Sequence, residues 1–259
     1  MIAFAFALAI GASLALLGAG GSIITVPVLV YVSGLDVHRA AGTSLLVVGL
    51  VAAAGALGRW QTVDARTGLQ FGLAGMLGAV PGAWVNHHVP AVTVLFGFAV
   101  TVLLTAARLL RAPTAAAAGK GTMAGIAAGV GVGFATGLFG VGGGFLIVPA
   151  LTLLLGVPME RAVATSLLVI ALNSGAGLAA HLRYGAVEWR LGLEFTAAAL
   201  IGAGAAIPLA RRIRSDWLQR IFAGALVALG LGMLGHVLLP FLGTETLRPI
   251  AGGLLIGIS

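Results

Sequence analysis

Residues 18–48 read GAGGSIITVPVLVYVSGLDVHRAAGTSLLVV, and residues 140–170 read GVGGGFLIVPALTLLLGVPMERAVATSLLVI. At a constant offset of 122 the two stretches agree at 14 of 31 positions. In a chain rich in Ala, Gly, Leu and Val some matches come free. The recurrence of G-x-G-G, of a proline six residues later, and of R-A-x-x-T-S-L-L-V does not. Further along, Gly68-Leu69-Gln70-Phe71 matches Gly192-Leu193-Glu194-Phe195 at an offset of 124. The chain is therefore a duplication with a two-residue insertion between the matching blocks. Duplicated halves with paired Gly/Pro-interrupted segments are the strongest sequence pointer to a transporter binding site.

The surroundings of these blocks decide the solvent. Of 259 residues, 60% are hydrophobic and 21 are charged (14 basic plus 7 acidic). A soluble domain of this length would carry roughly 65 charges, so the chain lacks a polar skin. Its hydrophobicity equally excludes disorder. No Asp, Glu, Lys or Arg occurs in residues 1–35, 67–107 or 121–159. Each stretch exceeds the ~20 apolar residues that cross a bilayer. The expected fold class is an all-α polytopic membrane protein. Residues 1–17 lack a basic leader, and the apolar run continues beyond them, so they read as mature structure. The net charge of +7 comes from arginines in short gaps between apolar runs. That pattern orients loops rather than binding nucleic acid. With no cysteines, thiolate chemistry is excluded.

The gaps divide the chain into a first transmembrane repeat (1–110), a linker (111–121) and a second repeat (122–259). Residues 85–89 carry no Arg or Lys, whereas the equivalent gap in the second half carries Arg211, Arg212, Arg214 and Arg220. Equivalent loops of opposite character belong on opposite sides of the membrane. With Arg108, Arg111 and Lys120 in the linker, 108–121 and 211–220 are expected in the cytoplasm. That requires an odd number of crossings per half and inverted repeats. Each half would then hold a Gly-broken first segment, made of two half-length or short helices, plus three spanning helices. Each broken segment is expected to fold back, either as re-entrant half-spanning helices or as two full crossings.

The breaks carry the chemistry. Several glycines in five positions weaken a helix by roughly 1 kcal/mol each, and non-helical backbone at membrane depth persists only in a protein interior or along a cavity. A helix restarting after Gly18, Gly20, Gly21 and Ser22, or after Gly140, Gly142, Gly143 and Gly144, would offer free N–H groups and a positive dipole end to an anion. Pro27 and Pro149 fall inside the restarted segments as structural breaks. Close packing explains the other glycines, Gly11, Gly129, Gly133, Gly175 and Gly177. Thr43, Ser44, Thr165 and Ser166 add hydroxyl donors. Such hydroxyls can also bond their own helix carbonyls. Asn173 and Ser174 are further polar candidates without counterparts in the first half. Arg39, Arg161 and Glu194 are the charged candidates for gating or coupling. The arginines also suit snorkelling anchors. Glu194 lies just inside a span, where ionisable groups are functional by default. His181 and the pair His87-His88 read as interfacial. No metal-ligand cluster, phosphate-loop lysine or catalytic dyad occurs, so neither metal nor cofactor is expected, and no enzymatic activity.

At G-x-G-G-x-x-x-x-x-P-x-L followed by R-A-x-x-T-S-L, present twice, the chain resembles the sulfite exporter TauE/SafE family of bacterial permeases, the TSUP group. The resemblance implies secondary transport of a small sulfur-containing anion, such as sulfite or a sulfonate, across the bacterial inner membrane. Ser22 departs from the glycine at the equivalent Gly144, which would make the two half-sites unequal. A passive anion channel, or a membrane subunit docking a partner enzyme, is the alternative reading. Expected partners are the anion, membrane lipid and a second copy of the chain in a homodimer.

Overall fold

The computed structural model describes residues 2–19, 21–86, 88–111, 122–139, 144–182, 187–212 and 215–238. Ten α-helices account for nearly all of these, with no strand among the described residues. The first half holds α1 (Ile2–Leu17), α2 (Gly21–Tyr31), α3 (Val37–Gly58), α4 (Ala65–Asn86) and α5 (Ala91–Arg111). The second holds α6 (Thr122–Phe139), α7 (Gly144–Pro149), α8 (Met159–Leu182), α9 (Trp189–Arg212) and α10 (Ser215–Leu238). Six helices, α3–α5 and α8–α10, are long and apolar enough to span a membrane. Each half thus has a broken first segment and three long helices, and the chain is an all-α polytopic membrane protein. All four tryptophans, Trp60, Trp84, Trp189 and Trp217, sit at or beside the ends of these helices and are 50–66% exposed. Interfacial placement suits an amphipathic ring.

The break after α1 folds the chain back. Gly18 has φ +61°, a conformation that costs glycine nothing. A Cβ placed on Gly21 would lie 3.3 Å from Leu14 and 3.6 Å from Ile10. Had the helix run straight on, Gly21 and Ile10 would be about 16 Å apart along its axis. The returning limbs are short. Gly21–Tyr31 has 11 residues, and the apolar segment Gly144–Leu154 matches it. At about 1.5 Å per residue each covers ~16 Å, half of a ~30 Å hydrocarbon core. Pro27 lies within α2, and Pro149 ends α7 before a π turn over Ala150–Leu154. Both limbs close on the same cap. Gly34 and Gly156 each have φ +68°, and the next amide returns to the carbonyl six residues back (Leu35 to Leu29, Val157 to Leu151). This closure is one residue wider than the usual six-to-one bond of a glycine-terminated helix.

The halves interdigitate. The closest helix pairs, α4 with α6, α1 with α9, α3 with α8 and α5 with α10, each take one helix from each half. A side chain on Gly133 would strike the Gly75 carbonyl, and the equivalent Gly11 would strike the Ala199 carbonyl. Gly78 abuts the Val130 carbonyl just as Gly202 abuts that of Leu8. Of the glycines assigned to packing, Gly11, Gly129 and Gly133 lie against backbone, and Gly177 lies against Leu45. Gly175 faces open space and packs on nothing. Equivalent helices run antiparallel. In α3 and α8, Leu45 meets Gly177, Gly49 meets Ser174 and Gly55 meets Leu167. In α5 and α10, Leu103 meets Gly230 and the Leu109 carbonyl accepts the Gln219 amide.

Candidate functional site

A cavity of about 510 Å³ lies where the halves meet. Its walls come from α2 and α7 (Val26, Ile147), α3 (Ser44, Val48), α4 (Phe71, Gly75, Met76), α6 (Gly133, Thr136) and α8 (Ile170, Asn173, Ser174). By helix rise, Ser44 is about 10 Å from the start of α3 and Asn173 about 14 Å from the end of α8, so the cavity lies at membrane depth. Most of its lining is apolar. The hydrogen-bonding side chains are Ser44, Thr136, Asn173 and Ser174, and none of the described lining residues is ionised. Ser44 donates to its own Ala41 carbonyl at 2.8 Å, leaving its oxygen lone pairs to the cavity. The buried Oδ1 of Asn173 has no hydrogen-bond partner. A half-turn of that amide would present Nδ2 instead, so the side chain can offer either an acceptor or two donors. An orphaned polar atom in a cavity wall calls for a ligand or water.

The other repeated hydroxyls do different work. The Glu188 amide donates to Thr43 Oγ1 at 2.9 Å, and the Asp64 amide donates to Thr165 Oγ1 at 3.0 Å. These bonds are equivalent under the repeat. In each, a buried threonine of one half holds the loop before a long helix of the other. The carboxylates there face the helix-opening arginines. Arg39 Nη1 is 3.7 Å from Glu188 Oε2, and Arg161 acts electrostatically on Asp64. Asp64 also caps α4, with Oδ1 accepting the Thr67 amide at 3.0 Å and Oδ2 the Thr67 hydroxyl at 2.7 Å. Burial pushes the Asp64 carboxyl up. The Thr67 bonds and the Arg161 charge outweigh it and hold the group below the usual value of 3.8.

Ser166 closes on the first break. Its Oγ is 2.8 Å from both the Gly18 carbonyl and its own Val163 carbonyl, so one proton is shared between them. The antiparallel register of α3 and α8 sets Ser166 beside residues near 56, about twelve positions beyond Ser44. The two serines are therefore roughly 18 Å apart along the helices and do not converge. Glu194 is exposed on α9 and bonds Arg190 Nε at 3.2 Å, away from the cavity. Gly144 is buried at the start of α7. Gly20, Gly140, Gly142, Gly143 and the side chain of Ser22 lie outside the described residues. Of the expected site residues, the cavity gathers Ser44, Asn173 and Ser174. Thr136 and Met76 belong there too. Their repeat equivalents are Leu14 and Leu200, so the duplication did not mark them.

The profile of the family described as "Sulfite exporter TauE/SafE" matches residues 3–233. A "Probable membrane transporter protein" of Xylella fastidiosa (strain 9a5c) is 31% identical over 234 residues, covering 86% of this chain and 90% of that one. The "Probable membrane transporter protein YunE" of Bacillus subtilis (strain 168) is 32% identical over 245 residues, covering 83% and 90% respectively. A "Probable membrane transporter protein" of Methanocaldococcus jannaschii is 49% identical, but over 57 residues, about a fifth of each chain. No solved structure matches the chain. The match takes in both broken segments, five of the six long helices and most of α10, and the chain belongs to the sulfite exporter TauE/SafE family of membrane transporters, with no enzymatic role.

Proposed function

We propose that the protein is a secondary transporter that moves a small sulfur-containing anion, sulfite or an organosulfonate, across the bacterial inner membrane by alternating access. The observation that carries this reading is the cavity at the junction of the halves, with hydroxyls and an unpartnered Asn173 Oδ1 in an otherwise apolar wall. Bonds from neutral donors to a charged ligand are each worth about 1.5–3 kcal/mol. Thr136, Ser174 and a turned Asn173 amide would supply such donors without a buried cation that would trap the anion, and Ser44 would join them by releasing the Ala41 carbonyl. Backbone N–H groups at the starts of α2 and α7 would add to this donor set.

The two halves would be inverted in the membrane, with 108–121 and 211–220 on the cytoplasmic side. The antiparallel packing of α3 on α8 and of α5 on α10 supports inversion, because equivalent helices of parallel repeats would run the same way. The folded-back first segments support the odd crossing number. The Arg39–Glu188 and Arg161/Asp64 contacts lie at opposite ends of the long helices. Breaking one while keeping the other would let the halves rock about the cavity.

A thermal-shift screen of the purified protein against sulfite, sulfate, thiosulfate, sulfoacetate and taurine tests the binding step, since a ligand stabilises the state it binds. A rise in Tm with sulfite or a sulfonate, lost in Asn173→Leu, is expected. A folded wild-type protein that none of these anions stabilises would refute the reading.

A further inference from the structure

A second concavity of about 570 Å³ lies between α5, α6 and the α7/π-turn segment. We propose that it binds one anionic phospholipid, with the phosphate between Arg108 and Arg111 and an acyl chain along Leu104, Leu146, Leu153 and Leu154. Depth supports the assignment. The span Val92–Arg111 has 20 residues, about 30 Å of helix, so Arg111 stands at one edge of the hydrocarbon. Leu104 is seven residues earlier, about 10 Å deeper, at acyl-chain level. Leu104 and Leu154 are exposed on the isolated chain.

Charge and polarity fit the same occupant. Thr101 and Thr105, the other polar residues of the groove, donate to the Gly97 and Thr101 carbonyls of their own helix, both at 2.7 Å. The guanidinium groups are then the polar elements left for a ligand, and basic pockets between spanning helices suit anionic headgroups. The groove is on the face of α5 opposite Ala99, Val102, Ala106 and Leu109, the buried face turned toward α10. Orientation by loop charge requires arginines near this surface but does not require them to line an apolar groove. Nor does the repeat generate it, because the positions in α10 equivalent to Leu104, Arg108 and Arg111 are Ala228, Gly232 and Gly235.

Native mass spectrometry and thermal shift of the purified protein would test this, with phosphatidylglycerol, phosphatidylcholine and inorganic phosphate as probes. We expect one phosphatidylglycerol retained per chain and a rise in Tm, neither being produced by the other two. The double variant Arg108→Gln/Arg111→Gln should weaken retention about thirtyfold. Leu104→Trp, which fills the groove and leaves the charge unchanged, should also abolish it. Arg220→Gln, an exposed charge at the same end of the neighbouring α10, should retain the lipid. Equal loss in Arg220→Gln would overturn the site in favour of diffuse surface charge. Protection by inorganic phosphate alone would overturn the acyl groove. Disulfide-linked pairs of Leu104→Cys chains in lipid-replete membranes would assign the groove to a second copy.

Discussion

At the scale of single residues, the same residue types serve two purposes according to which neighbour they meet. Ser44 lines the cavity, while its repeat equivalent Ser166 is bound to the Gly18 carbonyl. Thr43 and Thr165, adjacent to them in sequence, face the opposite half and hold its loops. Nothing local distinguishes these roles, because the partners lie 145 and 101 residues away. Asn173 was legible because it is polar where the first half has an apolar residue. Thr136 was not, because one hydroxyl in an apolar helix resembles packing. If the cavity binds the anion, Asn173→Leu should weaken affinity about ten- to hundredfold, the loss of one charge-assisted bond. Glu194→Gln should leave affinity within error in the same titration. Asp64 makes a separate prediction. Its folded-state pKa lies below the unfolded value of about 3.9, so its stabilisation is complete above about pH 5 and is lost as pH falls through the lower folded value. Asp64→Ala should cost about 1 kcal/mol at neutral pH through the lost cap. Asp64→Asn, which can still cap, should flatten the acid side of the Tm-versus-pH curve.

At the scale of elements, glycine decides what packs and what breaks. The long α4–α6 contact depends on Gly78, Gly82, Gly129, Gly133 and Gly137, where any side chain would overlap backbone across the pair. Such close approach replaces the hydrophobic effect as the force between helices in lipid. Gly133→Leu should therefore lower the Tm sharply, the overpacking cost alone being about 1–3 kcal/mol or more. Gly175→Ala, which meets nothing within 4 Å, should be neutral or mildly stabilising. A comparable fall in Tm for both variants would contradict the packing assignment. The helices and their breaks were legible from the apolar runs and the repeat. The shortness of α2 followed from Gly34, whose positive φ ends the limb after about half a membrane thickness. A return of the chain was expected from the odd crossing number that the loop charges imply, although a glycine cluster by itself permits a kink as readily as a reversal. The contact of Gly21 with Ile10 and Leu14 distinguishes the two.

For the whole molecule, the duplication explains why contacts recur in pairs. Offsets of 122 and 124 convert Gly133–Gly75 into Gly11–Ala199 and Thr165–Asp64 into Thr43–Glu188. An arrangement in which equivalent helices oppose each other predicts opposite exposure of equivalent loops. The chain has no native cysteine, so single cysteines report cleanly. An impermeant thiol reagent on intact cells should label His88→Cys, between α4 and α5. It should label Arg212→Cys, the equivalent position before α10 at the offset of 124, only after permeabilisation. The cavity itself breaks the pairing, because Thr136, Asn173 and Ser174 lack polar counterparts in the other half. Alternating access requires one site that opens to each side in turn, and the most direct test of the proposed carrier is counterflow. Proteoliposomes preloaded with unlabelled sulfite, or with the sulfonate that gives the largest thermal shift, should transiently accumulate the labelled anion. Uptake should saturate with concentration and be abolished by Asn173→Leu. Flux that rises linearly without counterflow, or counterflow unchanged in that variant, would contradict a carrier that binds its anion in this cavity.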